Sequence, residues 1–250
     1  MSASVKLQKF AVFDIDGTIF RSGLYRELIF DMVQNNELPP EIVEDYKESY
    51  TAWQTRATGE AFNDFIDASV AAFEKYITSV HSATVELAAN RVIRAQGDKV
   101  YSYTRKLIET LRQRGYFLIA ISGSHTELVS RFAEKFKFDH FVGQDFERDS
   151  RGYYTGKSIK THSGKEKILA RIILEHNLDT TGSIAVGDTS GDISLLSAAE
   201  CPIAFNPDAK LLGSAKEHGW PIVIERKNVV YHLAPDKRGN YQLNGSTYGF

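Results

Sequence analysis

The stretch Phe10-Ala11-Val12-Phe13-Asp14-Ile15-Asp16-Gly17-Thr18 decides the fold. Four apolar residues without a break suit a strand covered on both faces, as in a parallel sheet. Such a strand has no room for carboxylates in its interior, so Asp14 and Asp16 belong at its C-terminal end. Alternate residues of an extended chain face the same way, so the two acids share a side. In an open α/β sheet that end of a strand is where ligands bind. Two carboxylates so close repel unless a cation or a proton lies between them. The pair therefore predicts a Mg²⁺ site with Asp14 as a nucleophile.

The whole chain sets the limits. Of its 250 residues 42% are hydrophobic and 25% charged, an ordinary globular balance. A net charge of −2 predicts no nucleic-acid or membrane-surface partner. The single cysteine, Cys201, excludes an internal disulfide and a multi-cysteine zinc site, and beside Pro202 it reads as a buried filler. The start, MSASVKLQKF, lacks the apolar stretch of a signal peptide. No run of about 18 apolar residues predicts a membrane span, so the expected compartment is the cytoplasm.

After the first strand the pattern is helical. Leu24, Leu28, Ile29 and Met32 form one stripe, Ile42, Tyr46 and Trp53 a second, and Phe62, Phe65, Phe73 and Ile77 a third. A fourth helix is expected over 83–94. Residues 21–95 thus read as an inserted helical cap, and residues 1–20 and 96–250 as an α/β core. From Gly97 onward strands and helices alternate, which predicts a doubly wound parallel sheet. Asp98 reads as the cap of a helix running to Leu111. Phe117–Ile121 reads as a strand, Ser122-Gly123-Ser124 as a turn into a helix, and His125 as a surface residue of that helix. Residues 140–162 read as a β-hairpin flap, Ser183–Val186 as a strand, and the tail after Val229 as an edge hairpin.

The chemistry falls at strand ends. Asp14, Asp16 and Thr18 follow the first strand, Ser122 and Gly123 the second, and Asp188 and Asp192 a third; Lys165 opens a helix. One parallel sheet brings such points to a single edge. Phosphoryl transfer requires that set: an in-line nucleophile, a divalent cation, positive charge on the transferred oxygens and a proton donor for the leaving group. Asp14 attacks phosphorus, and Asp16 protonates the leaving oxygen and then activates water. Mg²⁺ takes oxygen ligands from Asp14, the Asp16 backbone carbonyl and Asp188. Thr18, Ser122, the Gly123 N–H and Lys165 bind phosphate. Asp192 orients Lys165 or a metal-bound water. Arg21, Arg26 and Arg56 are candidate substrate anchors.

DIDGT at 14–18, ISGS at 121–124, Lys165 and GDTSGD at 187–192 resemble the four motifs of the haloacid dehalogenase superfamily. A helical cap between the first two motifs, and AFNPDAKLLGSAKEHGWPI at 204–222, resemble its phosphoserine-phosphatase-like branch. The resemblance implies Mg²⁺-dependent hydrolysis of a small phosphorylated metabolite through an aspartyl-phosphate. Thr189 stands where Gly or Ser is usual. Gly23 stands where phosphoserine phosphatases carry a Glu for the substrate amine, with Glu27 nearby. A phosphotransferase on the same scaffold and a phospho-acceptor signalling module are the alternative readings.

Overall fold

Phe10, Ala11, Val12 and Phe13 are fully buried at the centre of the sheet. The computed structural model describes residues 7–78, 80–159 and 164–248. Strand β1 (Gln8–Phe13) is followed by four helices, α1 (Leu24–Gln34), α2 (Glu41–Thr55), α3 (Ala61–Ile77) and α4 (Ser82–Gln96). Then come α5 (Ser102–Gln113), β2 (Phe117–His125), α6 (Thr126–Lys135), β3 (His140–Arg148) and β4 (Tyr154–Ile159). After these come α7 (Lys165–His176), β5 (Leu178–Gly187), α8 (Ile193–Ser197), β6 (Cys201–Phe205), α9 (Ala209–His218) and β7 (Ile222–Arg226). A final hairpin of β8 (Val229–Pro235) and β9 (Tyr241–Tyr248) completes the order.

Among the described residues the strands form one sheet in the order β4-β3-β2-β1-β5-β6-β7-β8-β9. The strands from β3 to β7 pair parallel, and β4, β8 and β9 pair antiparallel at the two edges. Chain order reverses at β1, where β2 lies on one side and β5 on the other. A crevice opens at such a switch point, beyond the strand ends. Asp14 follows β1 directly, and its backbone N–H donates to Val186 O of β5 at 3.0 Å.

Period-two alternation divides β1 between two apolar cores. Phe10 and Val12 pack with Ile119, Ile121, Leu169, Leu195 and Leu211, under α7, α8 and α9. Ala11 and Phe13 pack with Leu118, Ala120 and Phe132 in a core that runs on into Leu28, Phe73, Val85 and Val92 of the inserted helices. Truncating a fully buried aromatic such as Phe13 to Ala costs about 3–5 kcal/mol. No helix among the described residues is long and apolar enough to cross a membrane.

Four local readings change. Asp98 does not cap α5; it pairs with Lys135 at 2.9 Å. The α5 N-terminus is closed from far away, by Glu225 accepting from Ser102 N and Tyr103 N at 3.0 and 2.9 Å. Ser122-Gly123-Ser124 is no turn: β2 runs through it because His125 pairs in register with Gln144 of β3. His125 is fully buried and caps α6, its Nδ1 accepting from Glu127 N at 3.2 Å. The 140–162 segment does form a hairpin, β3 pairing antiparallel with β4, and it extends the sheet beside β2, its last three residues lying outside the described ones. Cys201 is exposed rather than a core filler.

Candidate active site

Asp14, Asp16 and Thr18 follow β1 and Asp188 follows β5, while Ser122 and Ser124 lie in the last part of β2 and Lys165 opens α7. Ile15 to Phe20 fold into a tight loop in which Gly17 N donates to Phe20 O at 2.9 Å. Gly17 has φ +81, and a Cβ there would lie 2.1 Å from Asp188 Oδ2. Only glycine allows both the left-handed turn and that approach. Gly187 permits a similarly close approach in the other loop, where a Cβ would meet Asp192 Cβ at 2.5 Å.

Lys165, at the first turn of α7, is 4% exposed and bridges two acids. Its Nζ lies 2.7 Å from Asp14 Oδ1 and 2.7 Å from Asp192 Oδ1. Burial alone would lower the ammonium pKa, but the two carboxylates outweigh it and hold the pKa above its ordinary value. Asp14 is pushed up to about 7, by burial first, against the pull of Lys165 and with repulsion from Asp192 and Asp16. Asp188 is raised well above the usual carboxylate range by burial and by Asp14. Thr18 Oγ1 donates to Asp188 Oδ1 at 2.7 Å.

Asp16 is held separately. Leu24 N donates to its Oδ1 at 2.6 Å. Ser122 Oγ and Ser124 Oγ donate to its Oδ2 at 3.0 and 2.7 Å. Desolvation raises its pKa, and these three bonds offset part of that. Gly123 lies half-buried between the two serines. Asp192 Oδ2 accepts from Asp188 N, Thr189 N and Thr189 Oγ1 at 3.1–3.2 Å, so Thr189 helps to fix the acid that faces Lys165.

Asp14, Asp188 and Asp192 each offer an oxygen within 4.8 Å of the others, all three buried. An all-oxygen set with mutual repulsion fits a hard divalent cation such as Mg²⁺. Both oxygens of Asp192 are already bonded, so Asp14 and Asp188 are the side chains best able to hold one. The Asp16 side chain turns instead toward Leu24 and the serines.

The predicted residues Asp14, Asp16, Thr18, Ser122, Gly123, Lys165, Asp188 and Asp192 thus gather at one edge of the sheet. The arginines do not join them. Arg26 pairs with Glu27 at 2.8 Å, Arg21 stacks over the Tyr101 ring at 5.7 Å, and Arg56 is an exposed residue after α2. Glu27 is engaged by Arg26 and Ser22.

Two participants were missed from sequence. Ser124 was read as part of a turn; its spacing of two from Ser122 is the signal that puts both hydroxyls on one face. Asp208 accepts from Ser190 N at 2.8 Å and caps α9 through Leu211 N at 2.7 Å, tying down the loop that carries Asp188.

The family model of haloacid dehalogenase-like hydrolases matches residues 11–197 and so includes every one of these loops except that of Asp208. The chain belongs to that family. A histidinol-phosphatase of Neisseria meningitidis serogroup C is 31% identical over 125 residues, 48% of this hydrolase-family chain and 56% of that protein. A phosphoserine phosphatase of Lactococcus lactis is 29% identical over 127 residues, 50% of this chain and 56% of that one. The match therefore spans little more than half the length of these curated relatives. A solved phospho-aspartyl intermediate analogue of phosphoserine phosphatase has a TM-score of 0.58 at 20% identity, covering 89% of this chain and 95% of that one. At that identity the likeness is one of fold: the same α/β haloacid dehalogenase-like architecture.

Proposed function

We propose that this chain is a phosphatase that hydrolyses a small phosphomonoester through a phosphorylated Asp14. The observation that carries this is Lys165 lying 2.7 Å from both Asp14 and Asp192, beside the buried Asp188. Asp14 attacks phosphorus at the rim where β1 ends. Lys165 neutralises the phosphoryl charge, and the Gly123 N–H, with the hydroxyls of Thr18 and Ser122 once they turn from Asp188 and Asp16, orients the phosphoryl oxygens. Asp16 gives its proton to the leaving oxygen and then takes one from the attacking water. A Mg²⁺ held by Asp14, Asp188 and the Asp16 carbonyl would supply Lewis-acid stabilisation of the phosphoryl charge.

Helices α1 to α4 serve as a cap whose closure keeps water from the site until the alcohol has left. We propose the cytoplasm as its compartment, on the sequence features given above. The relatives' names support phosphomonoesters of amino alcohols or amino acids as the compounds to try first. Gly23 and the engaged Glu27 argue against phosphoserine itself.

The test is phosphate release from p-nitrophenyl phosphate and from a panel of phosphorylated metabolites, with and without Mg²⁺. Mg²⁺-dependent release that disappears in Asp14→Asn supports the reading. Wild-type rates in that variant, or product diverted entirely to an added alcohol, would overturn it.

A further inference from the structure

Asp188 is one of the two side chains best able to hold the cation, and its loop is gripped from two sides. On one side Asp192 Oδ2 accepts from Asp188 N and Thr189 N at 3.2 and 3.1 Å. On the other side Asp208 Oδ2 accepts from Ser190 N at 2.8 Å, and Asp208 N donates to Asp188 O at 2.8 Å. Asp192 also faces Lys165, so its place among the reacting groups is plain. Asp208 differs, because each of these bonds runs to backbone.

Asp208 does more than start a helix. It is the N-cap of α9, and capping occupies only Oδ1, which accepts from Leu211 N at 2.7 Å. Its second oxygen goes to Ser190. A carboxylate serves both amides because each of its oxygens accepts, whereas a hydroxyl offers a single oxygen.

The sheet holds Asp208 in turn. Ala204 of β6 lies opposite Gly187 of β5, so the chain leaving β6 runs beside the Asp188 loop. Asn206 turns it there at φ +43, a left-handed conformation that asparagine tolerates. Asn206 N donates to Val223 O at 2.8 Å, and Asn206 Oδ1 accepts from Glu225 N at 2.9 Å. A rigid path thus leads from β7 through Asn206 and Asp208 to Asp188.

The Asp188 loop has reason to be restrained. Asp14, Asp188 and Asp192 bring carboxylate oxygens within 4.8 Å of one another, and ionised acids that close push apart. A ligand left free to swing away would have to be drawn back when the ion binds. Groups that orient a metal ligand therefore change metal affinity without touching the metal.

We propose that Asp208 is a positioning residue for the cation: by gripping Ser190 N it presets Asp188 and raises the affinity of the site for Mg²⁺. The proposal rests on the assignment of Mg²⁺ to Asp14 and Asp188 in the phosphatase reading.

The bond can be cut from either end. Asp208→Ser keeps a capping oxygen for α9 and the backbone bond to Asp188, and gives up the grip on Ser190. Ser190→Pro removes the donor and leaves the charge of Asp208 in place. Ser190 opens a short 3₁₀ turn, and Thr189 before it is extended at φ −119 and ψ 167, so proline fits there. Asp208→Ala loses grip and cap together. Mg²⁺ is titrated calorimetrically into the full chain, and the Tm of the metal-free chain is measured alongside. All three variants should bind Mg²⁺ about tenfold or more weakly than wild type. Only Asp208→Ala should also show the drop in metal-free Tm that a lost cap brings. Wild-type affinity in Asp208→Ser would reduce Asp208 to a helix cap and overturn the proposal. So would weakening in the Asp208 variants with wild-type affinity in Ser190→Pro, which would assign the effect to charge alone. A wild-type chain that binds no Mg²⁺ would instead overturn the metal assignment beneath the proposal.

Discussion

The rim of acids around Lys165 and the seam beneath the inserted helices are both buried and both polar, yet they are built in opposite ways. At the rim the polar groups answer one another: Lys165 faces Asp14 and Asp192, Thr18 faces Asp188, and Asp16 takes three donors. At the seam Tyr25, His125 and Gln144 each keep one atom without an answer. A closed network holds its geometry before substrate arrives, which is what electrostatic stabilisation of a transition state requires. An open one carries the cost of burying polar atoms without bonds.

The largest effect expected from breaking the rim is on turnover. Asp14→Asn keeps the shape and removes the nucleophile, and kcat should fall by about 10⁴-fold or more with an unchanged circular-dichroism spectrum. Next comes the cation. EDTA should reduce phosphate release to background, and added Mg²⁺ should restore it. At 100 times its dissociation constant the ion should also stabilise the fold by about 2.7 kcal/mol, seen as a rise in Tm. Third, Lys165→Met leaves Asp14, Asp188 and Asp192 facing one another without their shared ammonium. Removing one partner of a buried pair costs about 3–5 kcal/mol, so chemical denaturation should show a loss of that order, partly recovered by Mg²⁺.

The last test bears on the seam. Burial first, and then Arg148 and Arg131, lower the His125 pKa from the ordinary 6.5 to about 3. The unfolded chain takes up the proton below pH 6.5 while the native one does not. The contribution of His125 is therefore fully present above pH 6.5 and is lost as pH falls toward 3, at up to about 1.4 kcal/mol per pH unit. Comparing the stability of wild type and His125→Phe from pH 7 to pH 4 should show a shallower acid slope in the variant. Equal slopes would mean that His125 is protonated in the native state.

Much of the rim was legible because Asp14, Asp16, Thr18 and Asp188 sit in short runs directly after buried strands. Phe10–Phe13 announces both the strand and where it must end. The stripes of α1 to α3 were legible for the same local reason, one apolar face at helical spacing. The seam was not. Ser122-Gly123-Ser124-His125 has turn composition, and only pairing with β3 draws it out as strand and carries His125 inside. Asp98 had the right residue type to cap α5 and lost to Glu225, which tertiary structure brings from over 120 residues away. Asp208 ties the Asp188 loop by accepting from Ser190 N and by donating its own N–H to Asp188 O, and composition does not reveal such bonds.

One bond sets a timetable for the nascent polypeptide. The amide of Asp14 is held by the carbonyl of Val186, and Ala11 to Phe13 lie alongside Ile184 to Val186. The centre of the sheet is thus joined from segments translated far apart, and such long-range pairing forms slowly. On the ribosome the first aspartates wait beside an open strand edge until residue 186 has cleared the exit tunnel. Until then the chain carries the letters of the site without the site, and the unprotected edge of β1 is where a chaperone would have most to cover.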